Sequence, residues 1–526
     1  MLFLWGVFAV NAQFENKQKN LIDVLSYEFA IKINDTTNRI EAKAINQIVL
    51  KKQTDSIYFD FMNSNSDEQG MKIASIRDSN GKNMSYKHIY NKLIINGLES
   101  YSRGDTLQLT IAYAGIPIDG LYIEKNMYGQ RTFFGDNWPD RARYWLPVVD
   151  HPSDKALVRF QVTAPKHYKV IASGVLMSKT SVDSHTNRYD YQSKIALPTK
   201  VMVFAAADFI TKQYGVVDQV PISSWIFNKA PAEGLDDYKP AMEVVPYYNK
   251  IIGPYAYKKL TNVQSKTRFG GMENAGTIFY SENTIGAGKL VEPLLAHEIA
   301  HQWFGDSVTE ENWSDIWLSE GFATYLTDLY LENKYGTKRL AERMKMEREK
   351  VIRYSKSKEV QPVVYREKKN LMKLLNRNSY EKGAWVLHML RKKVGDASFF
   401  TILQSYYSKY RNKNASTSDF IQLSESISGQ DLQGFFQQWL YRKTIPQISV
   451  LWTYQSRKLT LSVTQLGDVY ALEMPVKISD GKIEKNFVLS LDKQQQTFEY
   501  SIRLNVENIN LLLDPNTEVL FENLCE

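Results

Sequence analysis

Two of the seven histidines in this 526-residue chain stand four residues apart, at 297 and 301, within "LLAHEIAHQWFGD". On a helix, positions i and i+4 share a face, so His297 and His301 can offer two imidazole nitrogens to one metal ion. Glu298 lies one step round the helix, too far to be a third ligand but near enough to touch a metal-held water. The plain alternative is a pair of packed helix histidines. A catalytic zinc wants a third protein ligand and one open position. Glu320, in "WLSEGFATYL", comes 19 residues after His301, room for a helix to end, a loop to turn and a second helix to return. Two His and one Glu leave the fourth position for water, the arrangement of a hydrolytic rather than a structural zinc.

Those residues need a scaffold, and the hydrophobic pattern changes twice along the chain. From 20 to about 205, segments such as "YEFAIKI", "AINQIVL", "TLQLTIAYA", "VRFQVTAP" and "KVIASGVL" alternate or are β-branched, which predicts an all-β domain. From about 235 the period becomes helical, as in "EPLLAHEIAHQWFGD", "EGFATYLTDLYLENKYG" and "SYEKGAWVLHMLRKKVGD". Gly336 and Gly395 follow such runs and suit helix ends. After Pro446 short strands return, among them "ISVLWTYQ", "KLTLSVTQ" and "KNFVLSLD", and predict a small β-sandwich.

Composition excludes several classes. The net charge of +7 is small for this length, and Lys and Arg are interspersed with Asp and Glu, so no nucleic-acid partner is expected. The short basic runs near 368 and 391 do not alter that. A single cysteine, Cys525, cannot form an intrachain disulfide. The apolar start "MLFLWGVFAVNAQ" is too short to span a bilayer and has the form of a signal-peptide core with a Val-Asn-Ala cleavage box, without a charged leader; a buried first strand is the alternative. Export to a periplasm or the exterior is expected, with no stable membrane insertion.

Four stretches, "GGMENAG" (270–276), "HEIAHQWFGD" (297–306), "WLSEGFATY" (317–325) and "SYEKGAWVLHML" (379–390), together resemble the aminopeptidase N family of zinc metallopeptidases, which includes leukotriene hydrolase. The resemblance implies an α+β multidomain fold: an N-terminal all-β domain (16–208, after a leader at 1–15), a thermolysin-like catalytic domain (209–442) and an Ig-like β-sandwich (443–526). Many relatives carry a further large helical domain, and this sequence stops before one.

The resemblance also implies roles. His297, His301 and Glu320 would hold one Zn²⁺ per chain, Glu298 would be the general base, and Tyr380 would donate its hydroxyl to the tetrahedral oxyanion. Glu273 would bind the free α-amine of a peptide, and Gly270, Gly271, Met272 and Asn274 around it would line the substrate. The activity implied is removal of N-terminal residues from peptides by a monomer. An endopeptidase on the same zinc core is the main rival, though an amine anchor has no use in mid-chain cleavage; a catalytically dead binding protein is a second. The chain departs from the family pattern in places. Val148 stands where relatives have cysteine, Ser319 where they have asparagine, and Asp136 falls in the region of a second amine anchor and is a candidate for that task. His151, in "DHPSD", is expected to be structural.

Overall fold

The structure, a computed structural model, describes residues 21–65, 69–286, 288–367, 370–505 and 508–524. The leader expected at 1–15 and Cys525 lie outside the described residues. The chain divides into two compact units, residues 1–312 with 410–414, and residues 313–409 with 415–526. The architecture is α+β: a β-rich N-terminal region, a mixed then helical middle, and β strands at the C-terminal end.

The first unit begins with an eight-stranded sheet. Its centre is Ile22–Lys32, antiparallel to Ile40–Leu50 and parallel to Lys155–Pro165. Alternating burial along these strands follows from the period of two, which puts every second side chain in the core. The stretch "KVIASGVL", expected as one strand, is two strands in different sheets, Lys169–Ala172 and Val175–Ser181. Gly174, at φ +89°, turns the chain between them, and a Cβ there would strike the Gln192 backbone.

A five-stranded sheet follows, in the order 209–217, 220–227, 260–265, 277–281, 271–272. Strands 220–227, 260–265 and 277–281 pair in parallel, and Leu260–Ser265 is buried throughout. That burial matches the rule that parallel strands are covered on both faces. Helix α1 (Ala241–Ile251) and helix α2 (Glu292–His301) belong to this part, and the Tyr248 hydroxyl of α1 donates to the Ala296 carbonyl of α2.

The second unit is led by helices: α3 (Trp317–Tyr335), α4 (Thr337–Ser355), α5 (Gly383–Val394), α6 (Asp396–Tyr410), α7 (Thr417–Ser428) and α8 (Gln433–Tyr441). Helix α3 is buried from Trp317 through Leu331, which makes it the core element rather than an amphipathic surface helix. Gly336 and Gly395, at φ +88° and +82°, end α3 and α5 as expected. Two small sheets complete the unit, and their inner faces share a core that includes Ile448, Leu461, Met474 and Leu489.

Candidate active site

Helix α2 opens with Glu292 and Pro293, residues suited to a first turn, and brings His297 and His301 together at its end. Their Nε2 atoms are 3.1 Å apart and the rings nearly perpendicular, at 85°. His301 is buried, and its Nδ1–H donates to the Phe304 carbonyl at 3.2 Å, which leaves Nε2 as the ring's lone-pair nitrogen. Two imidazoles on one tetrahedral zinc would hold their nitrogens about 3.3 Å apart, from Zn–N bonds of about 2.0–2.1 Å, so the pair fits that ion.

Glu298 is buried with its carboxyl packed on the backbone of Gly271. A Cβ at Gly271 would overlap that carboxyl, so the glycine serves the base on α2. Gly270 is less constrained, since a Cβ there would meet Leu294 at 3.6 Å. Gly271 and buried Met272 form an edge strand antiparallel to Thr277–Ser281, and Glu273 is the next residue. Glu273 is 5% exposed and its Oε1 has no hydrogen-bond partner among the described residues. A carboxylate oxygen of Glu273, one of Glu298 and a ring nitrogen of His301 lie within 4.8 Å of one another. A buried carboxylate oxygen left without a donor is costly, and such an atom suits an incoming cation. Asn274 is fully buried, and neither of its side-chain polar atoms is hydrogen-bonded to a described residue.

Gln302, which the sequence reading passed over, holds this loop. Its Nε2 donates to the Glu273 carbonyl at 2.7 Å and to Asp306 Oδ2 at 3.0 Å; its Oε1 accepts from the Gly276 amide at 2.7 Å and the Tyr255 hydroxyl at 3.3 Å. A buried charge cluster lies behind it. Lys200 and Glu310 pair at 2.6 Å with both side chains buried, and Lys155 Nζ donates to the carbonyls of Asp306 and Ser307. Burial pushes Lys155 down to about 7. Burial, and then the Glu273 charge, hold Asp306 well above the usual carboxylate range. Lys200 moves up despite burial, because Glu310 and then Glu273 favour its charge. The one trace of Gln302 in the sequence is a polar residue beside His301, leading an otherwise apolar Trp-Phe pair.

Both oxygens of Asp136 are taken, Oδ1 by Arg141 and Oδ2 by the Thr267 hydroxyl at 3.2 Å. Burial pushes it up to about 6 against the pull of Arg141. This pair ties the end of strand Arg131–Gly135 to the loop that leads into Gly270, and Phe269 of that loop packs edge-on against Trp138. His151 Nδ1 meets the Ser153 hydroxyl at 2.8 Å in a local turn, and Val148 is a buried residue bridged to Asp60.

In the second unit, Glu320 is buried in the first turn of α3, next to buried Ser319. Tyr380 stands on a π-helical turn, Asn378–Lys382, that precedes α5, where the sequence pattern predicts ordinary helix. Wider turns of this kind recur at functional sites. Two buried side chains fix it: Glu381 pairs with Arg377 at 2.8 Å and Lys350 at 3.1 Å, and Lys382 Nζ donates to the carbonyls of Arg442 and Thr444. Gly321 of α3 and Gly383 of α5 cross closely, and a Cβ on Gly321 would lie 2.9 Å from the Gly383 Cα.

The chain matches the peptidase M1 N-terminal domain over residues 24–201 and the peptidase family M1 domain over residues 236–439. It is 24% identical to probable aminopeptidase 1 of Sulfurisphaera tokodaii over 93% of this chain and 61% of that protein. It is 27% identical to tricorn protease-interacting factor F2 of Thermoplasma acidophilum, over 75% and 52%. It is also 27% identical to the glutamyl aminopeptidase of Bos taurus, over 62% and 36%. The chain thus spans between about a third and three-fifths of these relatives' lengths. In fold it is similar to Legionella pneumophila aminopeptidase A in complex with aspartic acid (TM-score 0.80, 17% identity, 96% of this chain and 60% of that one). It is also similar to a mutant M1 zinc metallopeptidase of Deinococcus radiodurans bound to a Tyr-Ser-Ala substrate (TM-score 0.69, 22% identity, 82% and 96%). With two consecutive domain models matched over most of its length, the chain belongs to peptidase family M1.

Proposed function

We propose that the protein is a zinc-dependent aminopeptidase that hydrolyses the N-terminal peptide bond of peptides. The observation that carries this reading is the buried, donor-free Oε1 of Glu273 on a carboxyl that shares a 4.8 Å neighbourhood with Glu298 and His301. His297, His301 and Glu320 would hold one Zn²⁺ per chain. That ion, when bound, supplies Lewis acidity to the scissile carbonyl and acidity to water. Glu298 takes the proton of the attacking water and passes it to the leaving amine. The Tyr380 hydroxyl donates to the oxyanion. Glu273 accepts the substrate's α-ammonium, a charge-assisted contact worth about 1.5–3 kcal/mol that fixes which bond reacts. Met272, Asn274 and the glycines hold Glu273 at its depth. Asp136, engaged by Arg141 and Thr267, holds the loop before Gly270 rather than the amine. Relatives of this family bear aminopeptidase names, which supports the same assignment.

The reading extends to a protein working as an exported monomer on peptides with a free N-terminus, with no nucleic-acid partner and domains divided near 208 and 442. Among the described residues no helix is long and apolar enough to cross a membrane. The test is a panel of aminoacyl chromogenic amides and their N-acetylated forms, with and without a chelator. Chelator-sensitive turnover of the free-amine forms is expected. Equal rates on acetylated and free substrates would favour the endopeptidase. In Glu273→Ala, kcat/KM on free-amine substrates should fall at least roughly tenfold while acetylated substrates change little, so the preference shrinks.

A further inference from the structure

Lys259 stands just before strand Leu260–Ser265 in the first unit, and its amine turns inward. Nζ donates to the Gly276 carbonyl at 3.0 Å and to the Thr277 hydroxyl oxygen, and that hydroxyl donates in turn to the Ala172 carbonyl at 3.3 Å. Gly276 and Thr277 are buried, while Lys259 is part-buried. Among the described residues the amine has no third acceptor and no carboxylate partner. An ammonium offers three N–H groups and a charge, whereas a neutral amine offers two N–H groups and a lone pair. Two acceptors and no counter-charge match the neutral form. A cavity of about 20 Å³, room for one water molecule, is walled in part by Lys259. The other titratable residues on its wall are Lys194, Tyr257 and Lys258, and no carboxylate is among them; on the far side the Tyr255 hydroxyl donates to the Lys259 carbonyl. Burial acts the same way on the amine, pushing it down to about 7.

Both acceptors close the turn that carries Glu273. Gly276 is gripped on its amide side by Gln302 at 2.7 Å, and on its carbonyl side by Lys259 and by the Thr261 amide at 3.1 Å. The Thr277 amide donates back to the Asn274 carbonyl at 2.9 Å. We propose that Lys259 is a positioning residue for Glu273: as an uncharged amine it pins the far end of this turn, and taking up a proton releases it. The inference rests on the aminopeptidase reading, in which Glu273 receives the substrate's α-ammonium. A protonated Lys259 has a third N–H without an acceptor and a charge without a partner, so its flexible stem carries the ammonium out to water. The Gly276 carbonyl and the Thr277 hydroxyl then each lose a donor, and the turn slackens. Grip on the substrate amine therefore weakens as pH falls through about 7. A peptide α-amine keeps its proton only up to about 7.7–8.0. The site thus needs its substrate charged and its own lysine uncharged, and both conditions hold together only in a narrow window between those values.

The experiment follows the free-amine preference, the ratio of kcat/KM for an aminoacyl chromogenic amide to that for its N-acetylated form. It is measured between about pH 6 and pH 9 in wild type, Lys259→Met and Lys259→Arg. Methionine keeps the length of the stem and has no donor, while arginine is charged throughout. The substrate amine titrates alike in all three proteins, so dividing the wild-type preference by that of a variant isolates Lys259. At about pH 8 wild type should exceed Lys259→Met by about threefold to tenfold, the scale of one lost hydrogen bond. That advantage should shrink towards one as pH falls to about 6, where lysine too is charged. Lys259→Arg should stay with Lys259→Met at every pH. An advantage over Lys259→Met that does not change with pH is what a merely structural lysine gives, and it overturns the inference. Equal preferences in wild type and Lys259→Met, or a full preference in Lys259→Arg, overturn it as well. In each of those cases a free-amine preference in wild type leaves the aminopeptidase reading standing. A wild type that treats free and acetylated substrates alike sinks that reading and the inference with it.

Discussion

Gln302 Nε2 donates to the backbone carbonyl of Glu273 at 2.7 Å, so the residue after the second histidine of α2 holds the loop that carries the buried glutamate. The same side chain accepts the Gly276 amide, so both ends of the Glu273–Gly276 turn hang from one amide group. Gln302→Ala should keep zinc but loosen the turn and leave buried donors and acceptors unmet, each at about 1–3 kcal/mol. The free-amine preference should fall together with kcat/KM, by roughly tenfold or more if Glu273 shifts by about an ångström. Steady-state kinetics on free and acetylated substrates checks this; an unchanged preference would show that the clamp does not position Glu273.

Ligand and base should separate cleanly. Glu320→Ala should lose zinc, because two imidazoles alone make a weak site, and metal analysis of the purified variant checks it. Glu298→Gln should retain zinc and lose roughly a hundredfold to ten-thousandfold in kcat. Tyr380→Phe should lower kcat with little change in KM. Stoichiometric zinc in Glu320→Ala would remove that residue from the ligand set.

Gly271→Ala should damage turnover more than Gly270→Ala does. The added methyl at 271 falls on the Glu298 carboxyl, whereas at 270 it meets Leu294 at ordinary contact distance. The expected signature is a drop in kcat with zinc content preserved, measured side by side for the two variants. Equal effects would mean that the Glu298 carboxyl can move away at little cost.

Acid should weaken the second unit through His388. Its Nε2–H donates to the Thr517 carbonyl at 3.0 Å and its Nδ1 accepts from the Tyr325 hydroxyl at 3.0 Å, so the neutral ring joins α5 and α3 to the C-terminal β region. Burial, helped by nearby Lys392, pushes it down to about 3 from an ordinary value of 6.5. The unfolded chain therefore binds a proton that the folded one refuses between those values. Stability from this group is intact above about 6.5 and is lost as pH falls towards 3, with about 2 kcal/mol gone by about pH 5. The fall in Tm between about pH 7 and pH 5 should be smaller for His388→Gln than for wild type. Equal falls would place the acid sensitivity elsewhere.

The local parts of this molecule were legible from its sequence. Helix α2 and its two histidines follow from spacing, the helix ends at Gly336 and Gly395 from residue type, and the strands at both ends of the chain from alternation. What escaped depends on neighbours far along the chain. Lys200 meets Glu310 and Lys155 meets Asp306 across more than 100 residues, so no window holds both partners. Gln302 looks like one more helix-end residue until its four partners are known. The π turn at 378–382 has the same residues as an ordinary helix and is set by packing around Glu381, Lys382 and Gly383.

The crossing of Gly321 and Gly383 bears on how this protein can change over generations. One glycine follows the proposed ligand Glu320 directly, and the other comes three residues after Tyr380. A methyl on either partner meets the other backbone, so a first substitution at one site already incurs much of the cost of a second at its partner. The two positions then behave as one inherited character. Drift at either should be purged even where zinc chemistry is no longer under selection, since the penalty falls on packing first. A descendant that had lost the proposed metal ligands would still be expected to keep both glycines, a fossil of the site outlasting its chemistry.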